Sequence, residues 1–504
     1  MSQQDFRTCS ITGLKVHLPA ERLIKANAVT AIVFIAIGGL AALGAALTRW
    51  PAVHLLPPEW FYRVLTAHGF DMLIVWIIFF EVAALYIGSA VILNSRLAAP
   101  KVGWLAYILM LGGALLTNAM VLAGKADVLF TSYPPLMAHP LYYVVIILFA
   151  VGTLIGVFLF FATLYKARKD GTYTSQSFPL VTFGLFAAAA MAVTTLLHGA
   201  GIYIPTLLWS MGLMGMDPSA YRLVFWGLGH QSQQVNVAAM ISVWYLIGAL
   251  SVGMKPINEK VCRTAFILYI LFINIASEHH LLVDPVFSAA HKVWNTGYFM
   301  HLAVLASMIH ALAVPAGIEV ALRKKGYTKG LFEWLKMAPW GNPAFSACML
   351  SIFMFGFLGG ITGLTFGNEQ VNITAHNTWR ITGHFHGTVV GGTTTAFMGI
   401  TYYILPLIFR REVIATKLAR LQPWFFGLGI ILLSGGMMLA GAYGIPRRHW
   451  DVVGFGGSPF AFTWDPTVYM WLGVFGVGSL LAALGGIIYV YVSLGTVLYG
   501  KKLA

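Results

Sequence analysis

The sequence predicts an all-α polytopic membrane protein, a single domain over residues 1–504 with twelve transmembrane helices. Three observations predict it. Of the 504 residues, 59% are hydrophobic and 10% charged, against about 25% charged in an ordinary soluble domain. Twelve apolar runs approach the roughly 20 residues that a helix needs to cross a bilayer. Lys and Arg gather in alternate connections between those runs. A mean hydropathy of +0.79 points the same way. This composition excludes a soluble enzyme, a disordered chain and a nucleic-acid-binding protein.

The runs lie at roughly 26–47, 70–93, 103–122, 141–164, 180–198, 226–252, 264–280, 298–320, 344–363, 384–408, 423–442 and 469–494. The first stands behind Arg22 and Lys25. It is too long for the apolar region of a signal peptide and has no small-residue cleavage pattern after it, so it reads as a retained span. No connection is large enough for a second domain. With the N-terminus inside and the spans alternating, the inside segments hold 23 of the 31 Lys and Arg and the outside segments 8. That is the positive-inside asymmetry. It puts both termini in the cytoplasm of a bacterial or archaeal cell, and it accounts for the net charge of +14 with the lipid bilayer, not nucleic acid, as the expected surroundings.

Cys9, Cys262 and Cys348 form no disulfide framework, no CxxC pair and no CxxCH haem-attachment site. Any cofactor must be held by other residues, and the histidines are placed to do it. His68 opens span two, His230 lies early in span six, His279 and His280 close span seven, and His384 and His386 open span ten. His376 precedes His384 by eight residues. Ionisable groups at membrane depth are costly and usually functional, and neutral imidazole is the commonest metal ligand. A helix turns about 100° per residue, so His384 and His386 point to nearly opposite sides and cannot share a metal. His279 and His280 can converge on one ion only where the helix end is distorted.

The stretches AHGFDM (67–72), YPPL (133–136), VFWGLGH (224–230), HH (279–280), VPAGI (314–318), FGFLGGITG (355–363), HNTWRITGHFH (376–386) and GIPRR (444–448) resemble, in order and along the whole chain, the catalytic subunit of the haem-copper oxidase superfamily. That superfamily includes terminal oxygen reductases and nitric oxide reductases. The resemblance implies that His68 and His386 are the axial pair of a low-spin haem, and that His384 is the proximal ligand of a high-spin haem. The haems are of a or b type. It implies that His230, His279 and His280 hold the second active-site metal, copper or alternatively iron. Trp226 matches a tryptophan one turn before the first of these ligands. Arg447 and Arg448 match a pair that holds haem propionates, and His376 a residue beside them near a non-redox metal site. Asn377, where many members carry Asp, puts that extra site in doubt.

The chain departs from many oxygen reductases at three places. The segment GHQSQQVN (229–236) has Ser232 in place of a proton-delivering glutamate and Gln234 in place of the active-site tyrosine. Glu319 follows VPAGI where a channel lysine is expected. Cleaving O₂ takes four electrons, of which the two metals supply three and the tyrosine one. Glutamine has no accessible oxidised state. Converting two NO to N₂O and water takes two electrons and two protons, which two reduced metals can match. Gln234 stands one turn from His230, able to ligate the second metal or to donate a hydrogen bond to bound NO. The expectation is therefore a nitric oxide reductase, with an oxygen reductase using Tyr245, Tyr269 or Tyr298 as the alternative. Glu278, beside His279, and Glu319 are candidates for proton transfer. Electrons are expected from a partner subunit carrying cytochrome c or a cupredoxin-like dinuclear copper centre, or from a quinol. A protein partner would dock on the outer face near Arg447 and Arg448.

Overall fold

The computed structural model describes residues 5–454 and 463–503. Among the described residues twelve helical runs of 15 residues or more, with shorter helical segments between some of them, follow a short antiparallel hairpin, β1 (Phe6–Thr8) with β2 (Lys15–His17). They are α1 (Leu18–Arg49), α2 (Pro58–Val91), α3 (Pro100–Leu122), α4 (Pro140–Lys169), α5 (Leu180–Ser210) and α6 (Pro218–Val252). Then come α7 (Glu259–Ile273), α8 (Ala289–Lys324), α9 (Pro343–Phe366), α10 (379–407), α11 (Thr416–Ala442) and α12 (Pro466–Tyr499). All-α architecture and the number of runs agree with the sequence reading.

Among the described residues ten of these runs are long and apolar enough to span a membrane, two fewer than expected. One exception is α7. The expected span 264–280 ends at Ile273, and a helix of 15 residues is about 22 Å long, short of a hydrocarbon core of about 30 Å. His279 and His280 therefore do not close a span. They lie past the helix in a turn that tightens to a 3₁₀ segment, His279–Leu281. The other exception is α10, whose middle is rich in Gly and Thr.

Close packing brings the runs together. A Cβ on Gly429 of α11 would meet the backbone of Ala482, and one on Gly478 of α12 the backbone of Leu433, so these helices touch main chain to main chain, as small residues permit in membranes. Widened π-type turns interrupt α2 at Asp71–Val75, α8 at Val293–Met300, α9 at Met354–Gly360 and α10 at His386–Thr394. Such turns occur often at functional sites. Two of them stand beside the histidines of α2 and α10.

Candidate metal centre

Four elements place the histidines. Asp217 caps α6 by accepting from the Ala220 amide at 2.7 Å, and Pro218 occupies the first turn, where its missing N–H costs nothing. Along α6 follow Trp226, His230, Gln233 and Gln234. The turn after α7 contributes His279 and His280, α10 contributes His384 and His386, and α2 contributes His68.

The ring nitrogens of His230, His279 and His280 lie within 4.8 Å of one another. His230 Nδ1 is 2.9 Å from His280 Nε2. His279 Nδ1 donates to the Ala276 carbonyl at 3.0 Å, which leaves its Nε2 as a free ligand atom. The Trp226 indole lies flat on His280, with centroids 3.7 Å apart and planes 8° apart, and fixes that ring. Three neutral imidazoles converging without a carboxylate suit a borderline transition metal such as copper.

These histidines line a cavity of about 460 Å³, and His384 lines it as well. Thr362 Oγ1 contacts His384 Nδ1 at 2.9 Å, leaving Nε2 toward the cavity. Most of the remaining wall is apolar. A second cavity of about 490 Å³ is lined by His68 and His386. Their ring centroids are 6.3 Å apart and their planes 19° from parallel. Two metal–imidazole bonds of about 2 Å each, with the depth of the rings behind them, span about 6 Å. Both Nδ1 atoms face backbone carbonyls, His68 that of Gly38 at 3.3 Å and His386 that of Thr382 at 2.8 Å, so both Nε2 atoms face the gap. His68 and His386 are the residues that would hold one iron between their Nε2 atoms.

Arg447 and Arg448 line both cavities. Among the described residues neither forms an ion pair with a carboxylate. Burial, and then the charge of Arg448, push Arg447 down to about 9, which leaves it charged at neutral pH. Arg49 fixes their loop by donating to the carbonyls of Pro446 at 2.7 Å and Arg447 at 3.0 Å. Two unpaired guanidinium groups between two cavities fit acidic side arms of bound groups. His376 and Asn377 line the first cavity nearby.

Gln234 lines the same cavity as His230, and its Oε1 is buried without a hydrogen-bond partner. The two candidate carboxylates face elsewhere. Glu278 accepts from His291 Nε2 at 2.8 Å and Asn295 Nδ2 at 3.4 Å, and Glu319 accepts from Arg323 Nε at 2.7 Å. The candidate tyrosines are also absent from the cavity wall. Tyr245 contacts His310 Nδ1 at 3.0 Å and Cys262, Tyr269 contacts Ser307 at 2.7 Å, and Tyr298 is 61% exposed. The one tyrosine on the wall is Tyr133, whose ring lies 5.8 Å from the Arg448 guanidinium.

Sequence reasoning missed Gln233 and the Arg222–Asp284 ion pair of 2.8 Å, all on the first cavity, and Thr362, which stands behind His384. Thr362 falls inside the FGFLGGITG stretch, so its place in that stretch is the signal that pointed to it. The ion pair left none.

Residues 22–491 match the family model described as cytochrome c and quinol oxidase polypeptide I. The chain is 30% identical over 402 residues to cytochrome c oxidase subunit 1 of Thermus thermophilus, covering 77% of this chain and 69% of that protein. It is 26% identical to cytochrome c oxidase subunit 1 of a Synechocystis species, covering 83% and 75%. It is 24% identical to ubiquinol oxidase subunit 1 of Acetobacter aceti, covering 85% and 62%. A solved haem-copper terminal oxidase dimer superposes with a TM-score of 0.89 at 25% identity, covering 96% of this chain and 85% of that one.

Proposed function

The chain belongs to the cytochrome c and quinol oxidase polypeptide I family, a multi-pass membrane oxidoreductase family with haems and a second active-site metal, and we propose that this member reduces nitric oxide, 2 NO + 2 e⁻ + 2 H⁺ to N₂O + H₂O. The observation that carries the reading is Gln234, whose buried, unpartnered oxygen lines the cavity of the histidine trio at the position of the oxidase tyrosine. Tyr245, Tyr269 and Tyr298 do not line that cavity. At the tyrosine's own position the chain therefore offers no side chain able to give the fourth electron that O₂ cleavage requires, and among the described residues the tyrosine on that wall, Tyr133, lies instead beside the Arg448 guanidinium.

In this reading His68 and His386 hold a low-spin haem, His384 a high-spin haem, and His230, His279 and His280 a second metal, with copper favoured over iron by the all-nitrogen donor set. The bound metals supply the two electrons and the open coordination positions. The protein's own part is to orient and exclude. Trp226 fixes His280, Thr362 fixes His384, and the apolar wall keeps bulk water from the gas. Gln234 offers a fixed amide dipole where charge develops on the substrate, the kind of preorganised contact that commonly contributes most to catalysis. Arg447 and Arg448 anchor the propionates. Electrons enter from a cytochrome c or dinuclear copper subunit docked near that arginine pair, or from a quinol. The membrane is a bacterial or archaeal cell membrane, with both termini cytoplasmic by the charge asymmetry.

Oxygen is the second reading, and similarity favours it over nitric oxide, because the relatives named above are cytochrome c and ubiquinol oxidases and the matching structure is a terminal oxidase. Steady-state consumption of NO and of O₂ by the purified complex, with N₂O measured as product, separates the two. Nitric oxide turnover with stoichiometric N₂O supports the proposal. Oxygen reduction that persists at higher rate than NO reduction overturns it.

A further inference from the structure

We infer that Glu81 is an internal proton donor to the histidine-lined cavity, a role assigned to neither of the carboxylates singled out from the sequence. The inference rests on the reading of that cavity as a gas-reducing site, since only such a site consumes protons. Glu81 lies about two-thirds of the way along α2 and is 7% exposed, with no cation in ion-pair contact among the described residues. An unpaired carboxyl group at membrane depth is costly and marks a proton or ion pathway. Burial without a function would replace it with an apolar side chain at no loss.

Its surroundings give the direction of transfer. With its amide oriented to satisfy its neighbours, Asn236 donates from Nδ2 to Glu81 Oε1 at 3.0 Å and to the Ser232 carbonyl at 3.1 Å. Ser232 occupies the place where many oxygen reductases carry a proton-delivering glutamate on α6. The carboxyl group of Glu81 thus reaches the neighbourhood of that lost glutamate from a different helix. With the Asn236 amide so oriented, its oxygen and the Gln233 side-chain oxygen stand 3.4 Å apart, two acceptors with no hydrogen bond between them, and Gln233 lines the histidine cavity. A polar strip formed by the Asn236 and Gln233 amides therefore lies along one face of α6 between Glu81 and the cavity wall; amides orient but do not carry a proton, so water along that strip is the carrier the transfer requires. On its other side Glu81 lines a cavity of about 30 Å³ shared with Thr153, enough for a water molecule, which needs about 10–15 Å³ and polar partners. Glu81 stands thirteen residues beyond His68, about 20 Å along α2, and so on the side of the cavity away from Arg447 and Arg448.

The step balances as a proton transfer alone. Glu81 releases one proton toward the cavity for each proton consumed there, the Asn236 amide stabilises the carboxylate that remains, and a proton drawn from bulk water and passed through the small cavity beside Thr153 restores the carboxyl group. No bond to carbon changes and no electron moves through Glu81.

The test uses the purified holo-complex. Glu81→Gln keeps the shape and still accepts the Asn236 amide, while Glu81→Asp keeps the titratable proton. Redox-difference infrared spectra should show a protonated-carboxyl carbonyl band that disappears in Glu81→Gln and shifts in Glu81→Asp, with haem spectra unchanged in both. Turnover should fall about tenfold or more in Glu81→Gln and recover in part in Glu81→Asp. A Glu81→Gln protein with full haem content, wild-type turnover and an unchanged carboxyl band overturns the inference. Both gases consume protons, so the ratio of variant to wild type is read on whichever gas the wild type reduces. A wild type that reduces only O₂ defeats the nitric oxide reading and leaves this ratio as decisive as before.

Discussion

His384 and His386 stand two residues apart on α10 and face different cavities, His384 sharing one with His230 and His386 the other with His68. The separation follows from about 200° of helical rotation over two residues. It makes one short segment the bridge between the two cavities. His384→Ala should remove the high-spin haem signal and turnover while leaving the low-spin signal, and His68→Ala should do the reverse. Optical spectra of the reduced proteins check both. Loss of both signals from a folded, membrane-inserted single variant would contradict the assignment.

Gln234→Ala should slow NO reduction by about 10²–10³, the usual loss for a preorganised contact to developing charge. Metal content should hold if the amide only contacts the substrate, and fall if it ligates. Gas consumption and metal analysis on one preparation read both. A rate unchanged in Gln234→Ala, together with loss of O₂ turnover in a Phe variant of Tyr245, Tyr269 or Tyr298, would favour the oxygen reading.

Glu319→Gln should leave turnover and its pH profile unchanged. Glu319 pairs with Arg323 one helical turn on, with the two side chains 32% and 28% exposed. Such a pair contributes at most about 1 kcal/mol to stability and gives no path to the cavity. A shifted pH profile in Glu319→Gln would return this carboxylate to the proton pathway.

Arg447→Leu should lower the haem-to-protein ratio of the purified subunit, because this guanidinium lines both cavities and forms no ion pair with a carboxylate of the described chain. Arg447→Lys should recover part of it, since an ammonium keeps the charge but not the two-pronged geometry that suits a carboxylate. Pyridine haemochrome content per mole of protein measures the effect. Full haem content in Arg447→Leu would remove the propionate role.

Several elements of this protein were legible before any coordinates. Long apolar runs and the inside–outside asymmetry of Lys and Arg are one-dimensional properties, because the bilayer acts on each span separately. The opposed facing of His384 and His386 is likewise local, set by the pitch of one helix. The position of His279 and His280 was not legible at that level. Hydropathy runs straight through 264–280, but the backbone leaves the helix at Ile273 and turns, and that turn lets adjacent residues converge with His230.

Contacts between helices belonged wholly to the tertiary structure. Spacing suggested Glu278 and Glu319 as proton carriers by their nearness in sequence to a ligand and a motif, yet their hydrogen bonds go to His291 and Arg323. Glu81, a carboxyl group inside the apolar run 70–93, was itself a signal in the sequence, but its partner emerged only when α2 and α6 packed and set it against Asn236. The sequence by itself determined the membrane class, the helical runs and the residue types able to bind metal, since each follows from local composition or from the rotation per residue of a single helix. Only the tertiary structure decided which imidazoles meet, that both arginines line both cavities and where each carboxyl group lies relative to them. Those relations depend on the rotation and depth of one helix against another, and packing of side chains from distant parts of the chain fixes both.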